Sequence, residues 1–247
     1  MLPDGVSYVS AIILVAASFF TSGLTAAAGV GGGLLMLALM TYLIPISALI
    51  PVHGLVQLGS NAGRSWVQRA HIDWGITQYF LIGSVLGALA GAMLVVQIPK
   101  NLLEVFLGAF IIVLVWMKLP TLRNVSNPVV TLGGGMTTFV SMFAGATGPL
   151  VAVFLNKLFS EHRTLVATHG IAMTAQHAVK IVAFMIFGFA FGEWLLLVGS
   201  MVVSGYFGTK AGTLLMNRLP EVRLKQGFKW TLTIVAIDLV RRGVGLF

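Results

Sequence analysis

The chain is short of charge. Of its 247 residues only 9% are Asp, Glu, Lys or Arg, whereas 57% are hydrophobic and mean hydropathy is +0.97. A soluble domain carries about 25% charged residues, so a chain this long with so few cannot cover a water-facing surface. Acid is scarcest: seven Asp and Glu stand against fifteen Lys and Arg, giving a net charge of +8. In a soluble protein that excess would suggest nucleic acid. Here the Lys and Arg sit at the ends of apolar runs, where cytoplasmic loops orient a membrane protein, so nucleic acid is not the expected partner. Cysteine is absent, which excludes disulfides and thiolate metal sites. There is no GxxxxGK[ST] loop, carboxylate cluster or metal-ligand spacing. No cofactor is expected, and ATP-driven or hydrolytic chemistry by this chain is unsupported.

Long apolar runs take the place of charge. A bilayer span needs roughly 20 mostly apolar residues, and ten segments follow one another: 6–28, 31–45, 47–68, 75–97, 101–119, 129–146, 149–160, 164–189, 193–217 and 225–245. The expected class is an all-α polytopic membrane protein, a single transmembrane domain over 1–247. Tyr8–Phe20 could mimic a signal peptide, but no basic region precedes it, and it is read as the first span. Segments 31–45 and 149–160 are short and begin at GVGGG and GATGP. Each is read as re-entrant or broken helix, buried in protein rather than facing lipid.

Alternating the segments sorts the basic residues. One side receives Arg64, Arg69, Lys118, Arg123, Lys157, Arg163, Arg218, Arg223 and Lys225, and the other receives Lys100, Arg241 and Arg242. The first side is the expected cytoplasm, which puts both termini outside. The C-terminal arginine pair opposes this bias.

The chain also repeats itself. His53-Gly54 in VHGLVQLGSNAGR recurs as His169-Gly170 in THGIAMTAQHAVK, an offset of 116 residues. The same offset maps Gly29 onto Gly145, Gly32 onto Gly148, Gly83-Ser84 onto Gly199-Ser200, Asn61 onto His177 and Arg64 onto Lys180. Repeat one covers 6–119 and repeat two 129–245, five segments each. An odd number inverts the second half, a design recurrent in secondary transporters with a midplane site. The charges agree. Arg69 and His71 follow the third segment, whereas the related loop at Phe191-Gly192-Glu193 has no basic residue; the loop with Lys100 is poor in charge, whereas its counterpart holds Arg218, Arg223 and Lys225.

Polar residues inside the spans are costly and usually face a cavity or a partner. His53, Gln57, Asn61 and Arg64 are spaced four, four and three apart, one helix face. His169, Gln176, His177 and Lys180 share a face of the eighth segment. Two related helices thus each present a stripe of donors ending in a cation, which suits an anion. The alternative is hydrogen bonding between helices and, for Arg64, snorkelling to the interface. Gly29, Gly31, Gly32 and Gly33, with Gly145, Thr147 and Gly148 in the related place, let backbone amides approach a ligand at a helix N-terminus.

Other features read more simply. Gly83, Gly87 and Gly91 have small-xxx-small spacing for helix packing. Asp238 forms a local ion pair with Arg241 and Arg242. Gly133-Gly134-Gly135 start a helix. The five Trp lie near segment ends, as in an interfacial belt.

The blocks GVGGGLLMLALMTYLIP, PVHGLVQLGSNAGR and the weaker second copy ATHG…QHAVK resemble the sulfite exporter (TauE/SafE) family, over essentially the whole chain. The resemblance implies a bacterial inner-membrane or plant permease for sulfur-containing anions such as sulfite, thiosulfate or organosulfonates. It adds Ser60 to the candidates Gly29 to Gly33, His53, Gln57, Asn61 and Arg64 and their second-half partners. Two positions break the symmetry: Met173 at the place of Gln57 and Pro149 at that of Gly33. The expected function is secondary transport of a small sulfur anion, sulfite foremost, across the bacterial inner membrane by alternating access. The histidines are suited to proton linkage. An anion channel and a non-transporting scaffold are the rivals, and an intramembrane enzyme is the weakest. Assembly as a homo-oligomer stays open.

Overall fold

The computed structural model describes residues 2–28, 31–95, 98–117, 125–215 and 221–245, with the backbone alone at 27, 28, 64, 67, 153, 162, 213, 215, 221–225 and 228. The described residues hold ten α-helices and no strand, each helix falling on one of the apolar segments. They are α1 (Tyr8–Ala28), α2 (Gly32–Leu43), α3 (Ile46–Val67), α4 (Trp74–Val95), α5 (Lys100–Trp116), α6 (Asn127–Ala144), α7 (Gly148–Leu155), α8 (His162–Ile186), α9 (Leu195–Leu215) and α10 (Glu221–Gly243). The chain is an all-α polytopic membrane protein. At 1.5 Å per residue, α2 is about 18 Å long and α7 about 12 Å, so neither reaches across a hydrocarbon core of about 30 Å.

The surface is inverted relative to a soluble protein. Along α4 the buried positions are Thr77, Phe80, Gly83, Ser84, Gly87, Ala88, Gly91 and Ala92, whereas Ile82, Leu86, Leu89, Met93 and Leu94 are exposed. Apart from Phe80, the residues of α4 that face protein are small or polar and the large apolar ones face outward, as in a membrane helix bundle. Tyr8–Ala26 and Trp74–Val95 are long and apolar enough to cross by length and composition.

The helices form two compact units, which cut across the two sequence halves. The first comprises α1, α2, residues 46–56 of α3, α5, α9 and α10. Within it α1 pairs with α9 and α5 with α10. A Cβ on Gly208 would strike the Phe19 carbonyl, and one on Gly212 the Gly23 carbonyl. Ser18 Oγ donates to the Met201 carbonyl (2.7 Å) and Ser204 Oγ to that of Val15 (2.7 Å). Gly199, the position the offset of 116 relates to Gly83, meets nothing within 4 Å. The close approach falls instead to Gly205, Gly208 and Gly212.

The second unit comprises residues 57–67 of α3, α4, α6, α7 and α8. Its closest pair is α4 with α6. Gly83 and Gly87 abut the carbonyls of Thr131 and Gly135, and Gly91 abuts the Met142 side chain, which is the packing their spacing predicts. Gly133-Gly134-Gly135 do not start a helix: α6 begins at Asn127 with Pro128 in its first turn. Gly134 lies instead against the Phe80 carbonyl, so the run serves close packing within the helix. Thr138 Oγ1 donates to Ser84 Oγ at 2.9 Å, with both residues fully buried.

Candidate functional site

In the first unit the chain turns between α1 and α2. Gly29 lies outside the described residues. Gly31 caps α2 with φ of 108°, a left-handed conformation that an L side chain resists. Gly32 sits on the Thr21 carbonyl and the Thr25 hydroxyl with no room for a Cβ, so helix packing alone demands glycine there. Among the described residues, the first backbone bond into α2 runs from Leu35 N to Gly31 O at 3.0 Å. The amides of Gly32, Gly33 and Leu34 stand ahead of that bond, in the first turn, where a helix leaves its N–H groups outside its own ladder. His53, fully buried on α3, lies with Nε2 2.9 Å from the Gly33 carbonyl. A carbonyl only accepts, so Nε2 carries the proton.

The second unit repeats this arrangement. Gly145 closes α6 with φ of 72°, and Thr147 caps α7. His169 Nε2 lies 3.1 Å from the Gly148 carbonyl. The α7 entrance is poorer in amides, however. Pro149 has no N–H, and Leu150 N and Val151 N both bond the Thr147 carbonyl (3.0 and 3.1 Å).

Charge makes up the difference. Lys180 on α8 is fully buried. Its ammonium donates to Ser141 Oγ (3.1 Å), the Gly145 carbonyl (3.2 Å) and the Ser141 carbonyl (3.4 Å). All three oxygens belong to the end of α6, where the helix dipole favours a cation. Gln176 Nε2 donates to Thr147 Oγ1 at 2.6 Å, while its Oε1 is buried with no hydrogen-bond partner among the described residues. His177, next to it on α8, is buried. The only acids of this unit are Asp73 and Glu161. Asp73 Oδ1 accepts from Ile76 N (2.9 Å) and Glu161 Oε2 from the Thr164 hydroxyl (2.7 Å). No ion pair to Lys180 occurs among the described residues. Burying a lone ion costs several kcal/mol, and an anion beside the break would recover part of that.

The structure thus joins Gly145, Thr147, Gly148, His169, Gln176 and Lys180 by direct hydrogen bonds around one helix break. Gly31, Gly33 and His53 form its smaller counterpart in the first unit. On the second-unit part of α3, Asn61 is buried and its Nδ2 donates to the Gln57 carbonyl (2.8 Å); Gln57 and Ser60 are half-buried. The Arg64 side chain lies outside the described residues. Sequence reasoning missed Ser141, Ser65 and Thr174. Ser65 Oγ donates to the Asn61 carbonyl (2.9 Å) and lies 3.4 Å from Thr174 Oγ1. Ser141 stands four residues before Gly145, on the same helix face, and that spacing is the signal that could have found it. No group of three His, Asp or Glu able to hold a metal occurs among the described residues.

A family model described as "Sulfite exporter TauE/SafE" matches residues 14–239. The match covers nearly the whole chain, and the chain belongs to that family. No curated protein and no solved structure matches it.

Proposed function

From the premise that a member of the sulfite exporter family is a membrane permease for sulfur-containing anions and not an enzyme, we propose that this chain carries a small sulfur oxyanion, sulfite foremost, across the bacterial inner membrane. The observation that carries the site is Lys180: a fully buried cation at the α6–α7 break, with no carboxylate paired to it among the described residues. Its field, with the α7 N-terminus, draws the anion's oxygens. In the first unit, the first-turn amides of Gly32, Gly33 and Leu34 at the α2 entrance are a separate set of donors suited to an anion. His53 and His169 hold the two breaks in shape, each through Nε2 on a glycine carbonyl. His177, Asn61, Gln57, Ser60 and Arg64 complete the polar lining in this reading.

Transport proceeds by alternating access between two inverted repeats, 6–119 and 129–245. Two structural parallels support the repeat. Each half has a histidine bonded to a glycine of the short helix that follows a break. The pairing of α1 with α9 in one unit is matched by α6 with α4 in the other, partners that the repeat exchanges. The test is labelled sulfite counterflow in liposomes containing the purified protein. Saturable uptake, accelerated by sulfite on the trans side, is expected. A large ohmic anion current without trans-acceleration would replace the carrier with a channel. Imposing a pH gradient in each direction tests proton linkage, and flux indifferent to it removes that part.

A further inference from the structure

The first unit contains a charged cluster that the anion site does not use. Arg242 on α10 reaches two other helices of that unit, α5 and α2, besides a carboxylate of its own helix. Its Nε lies 3.2 Å from Asp238 Oδ2, and its Nη1 3.8 Å from Glu104 Oε1 on α5. Its Nη1 and Nη2 also approach the Thr41 carbonyl (3.4 Å) and hydroxyl (3.5 Å) in the last turn of α2. The guanidinium lies 4.8 Å from the centre of the Tyr42 ring, and Tyr42 Oη donates to Asp238 Oδ2 at 2.9 Å. Asp238 is held in addition by Arg241 at 2.7 Å. Glu104 is buried on the apolar helix α5. Such a carboxylate is costly in a membrane helix unless it has a partner, and Arg242 is the cation the structure gives it.

We infer that Arg242 is a positioning residue for α2. A planar guanidinium engages a carbonyl, two carboxylates and a ring together, which an ammonium does not. The group it grips is the C-terminal turn of a helix only 12 residues long. A helix that short moves as a rod, so fixing its last turn fixes its first turn too. The first turn presents the amides of Gly32, Gly33 and Leu34. The inference rests on the reading that those amides serve the anion, but the anchoring is independent of the cargo.

The test uses the full chain with Arg242→Met and the double variant Glu104→Gln/Arg242→Met. Arg242→Met leaves Glu104 buried without its cation and lowers the melting temperature. The double variant removes both charges and leaves Asp238 on Arg241, so its melting temperature recovers most of the loss. In substrate-free double variant, amide exchange across α2 rises about tenfold while α1 and α9 stay at wild-type rates. Sulfite KM rises by about tenfold with Vmax within about twofold. Wild-type α2 exchange in a recovered double variant overturns the inference, whatever the cargo. Faster α2 exchange in a protein whose wild type shows no saturable sulfite uptake sinks the transport reading and leaves the anchor standing. If the double variant does not fold, Glu104→Gln alone gives the same readout at about threefold, and unchanged exchange again overturns it.

Discussion

The two short helices follow glycine breaks of the same kind but are held differently. The last turn of α2 is tied by Arg242, Asp238 and Tyr42, groups that are partly exposed. α7 is set in an apolar cluster, where its Val151, Phe154 and Leu155 are buried with Phe80, Val130, Ala172 and Met173. The breaks differ in the opposite sense. The α2 entrance has Gly32, Gly33 and Leu34, each with an N–H, ahead of its first described backbone bond, whereas α7 has Pro149 and a tight first turn but stands beside the buried Lys180. Both helices are packed, since Leu34, Met36, Leu37, Ala38 and Met40 of α2 are buried as well; the difference is that α2 carries a charged tie at its last turn, whereas α7 stands beside a buried charge at its first.

The contrast in anchoring breaks most visibly under truncation. Phe154→Ala should cost about 3 kcal/mol through the cavity it leaves. Tyr42→Phe, which removes one partly exposed hydroxyl bond, should cost about 1 kcal/mol or less. Equal losses in reversible denaturation would abolish the distinction. The breaks themselves should respond alike: Gly31→Ala and Gly145→Ala each force a side chain into positive φ and should cost about 1–2 kcal/mol. His53→Leu and His169→Leu should each cost about 1 kcal/mol by removing the N–H that a glycine carbonyl accepts. A histidine whose loss leaves stability unchanged would not be a brace. The smallest effect is salt. Raising ionic strength screens the partly exposed ions around Arg242, so exchange of α2 amides should rise slightly while that of α7 amides does not.

Much of the fold was legible because apolar runs, helix spacing and glycine periodicity are local properties. All ten helices fall on apolar segments, and Gly83, Gly87 and Gly91 pack as their spacing predicts. Asp238 pairs with Arg241 and Arg242 as their three- and four-residue spacing implies. The misses are relations between helices. Ser141 matters only because α8 brings Lys180 to it. Glu104 reads as one acid in an apolar run until α10 places Arg242 beside it. The offset of 116 points to Gly199, whereas packing on α1 uses Gly205, Gly208 and Gly212, because which glycine meets a neighbour is set by how two helices cross and not by position along one of them. The candidate site was legible as two stripes of donors. What the stripes could not reveal is that His169, Gln176 and Lys180 each donate to the α6–α7 break itself.

Lys180 therefore decides the central claim. The direct measurement is the melting temperature of the purified protein with and without sulfite, for wild type and Lys180→Met. The substitution removes a buried charge, so the anion-free variant should melt within a few degrees of wild type. Sulfite should stabilise wild type in a saturable manner and leave Lys180→Met unmoved. An equal sulfite shift in both proteins, or stabilisation of wild type by cations and not by sulfur anions, would contradict the assignment of an anion to this break.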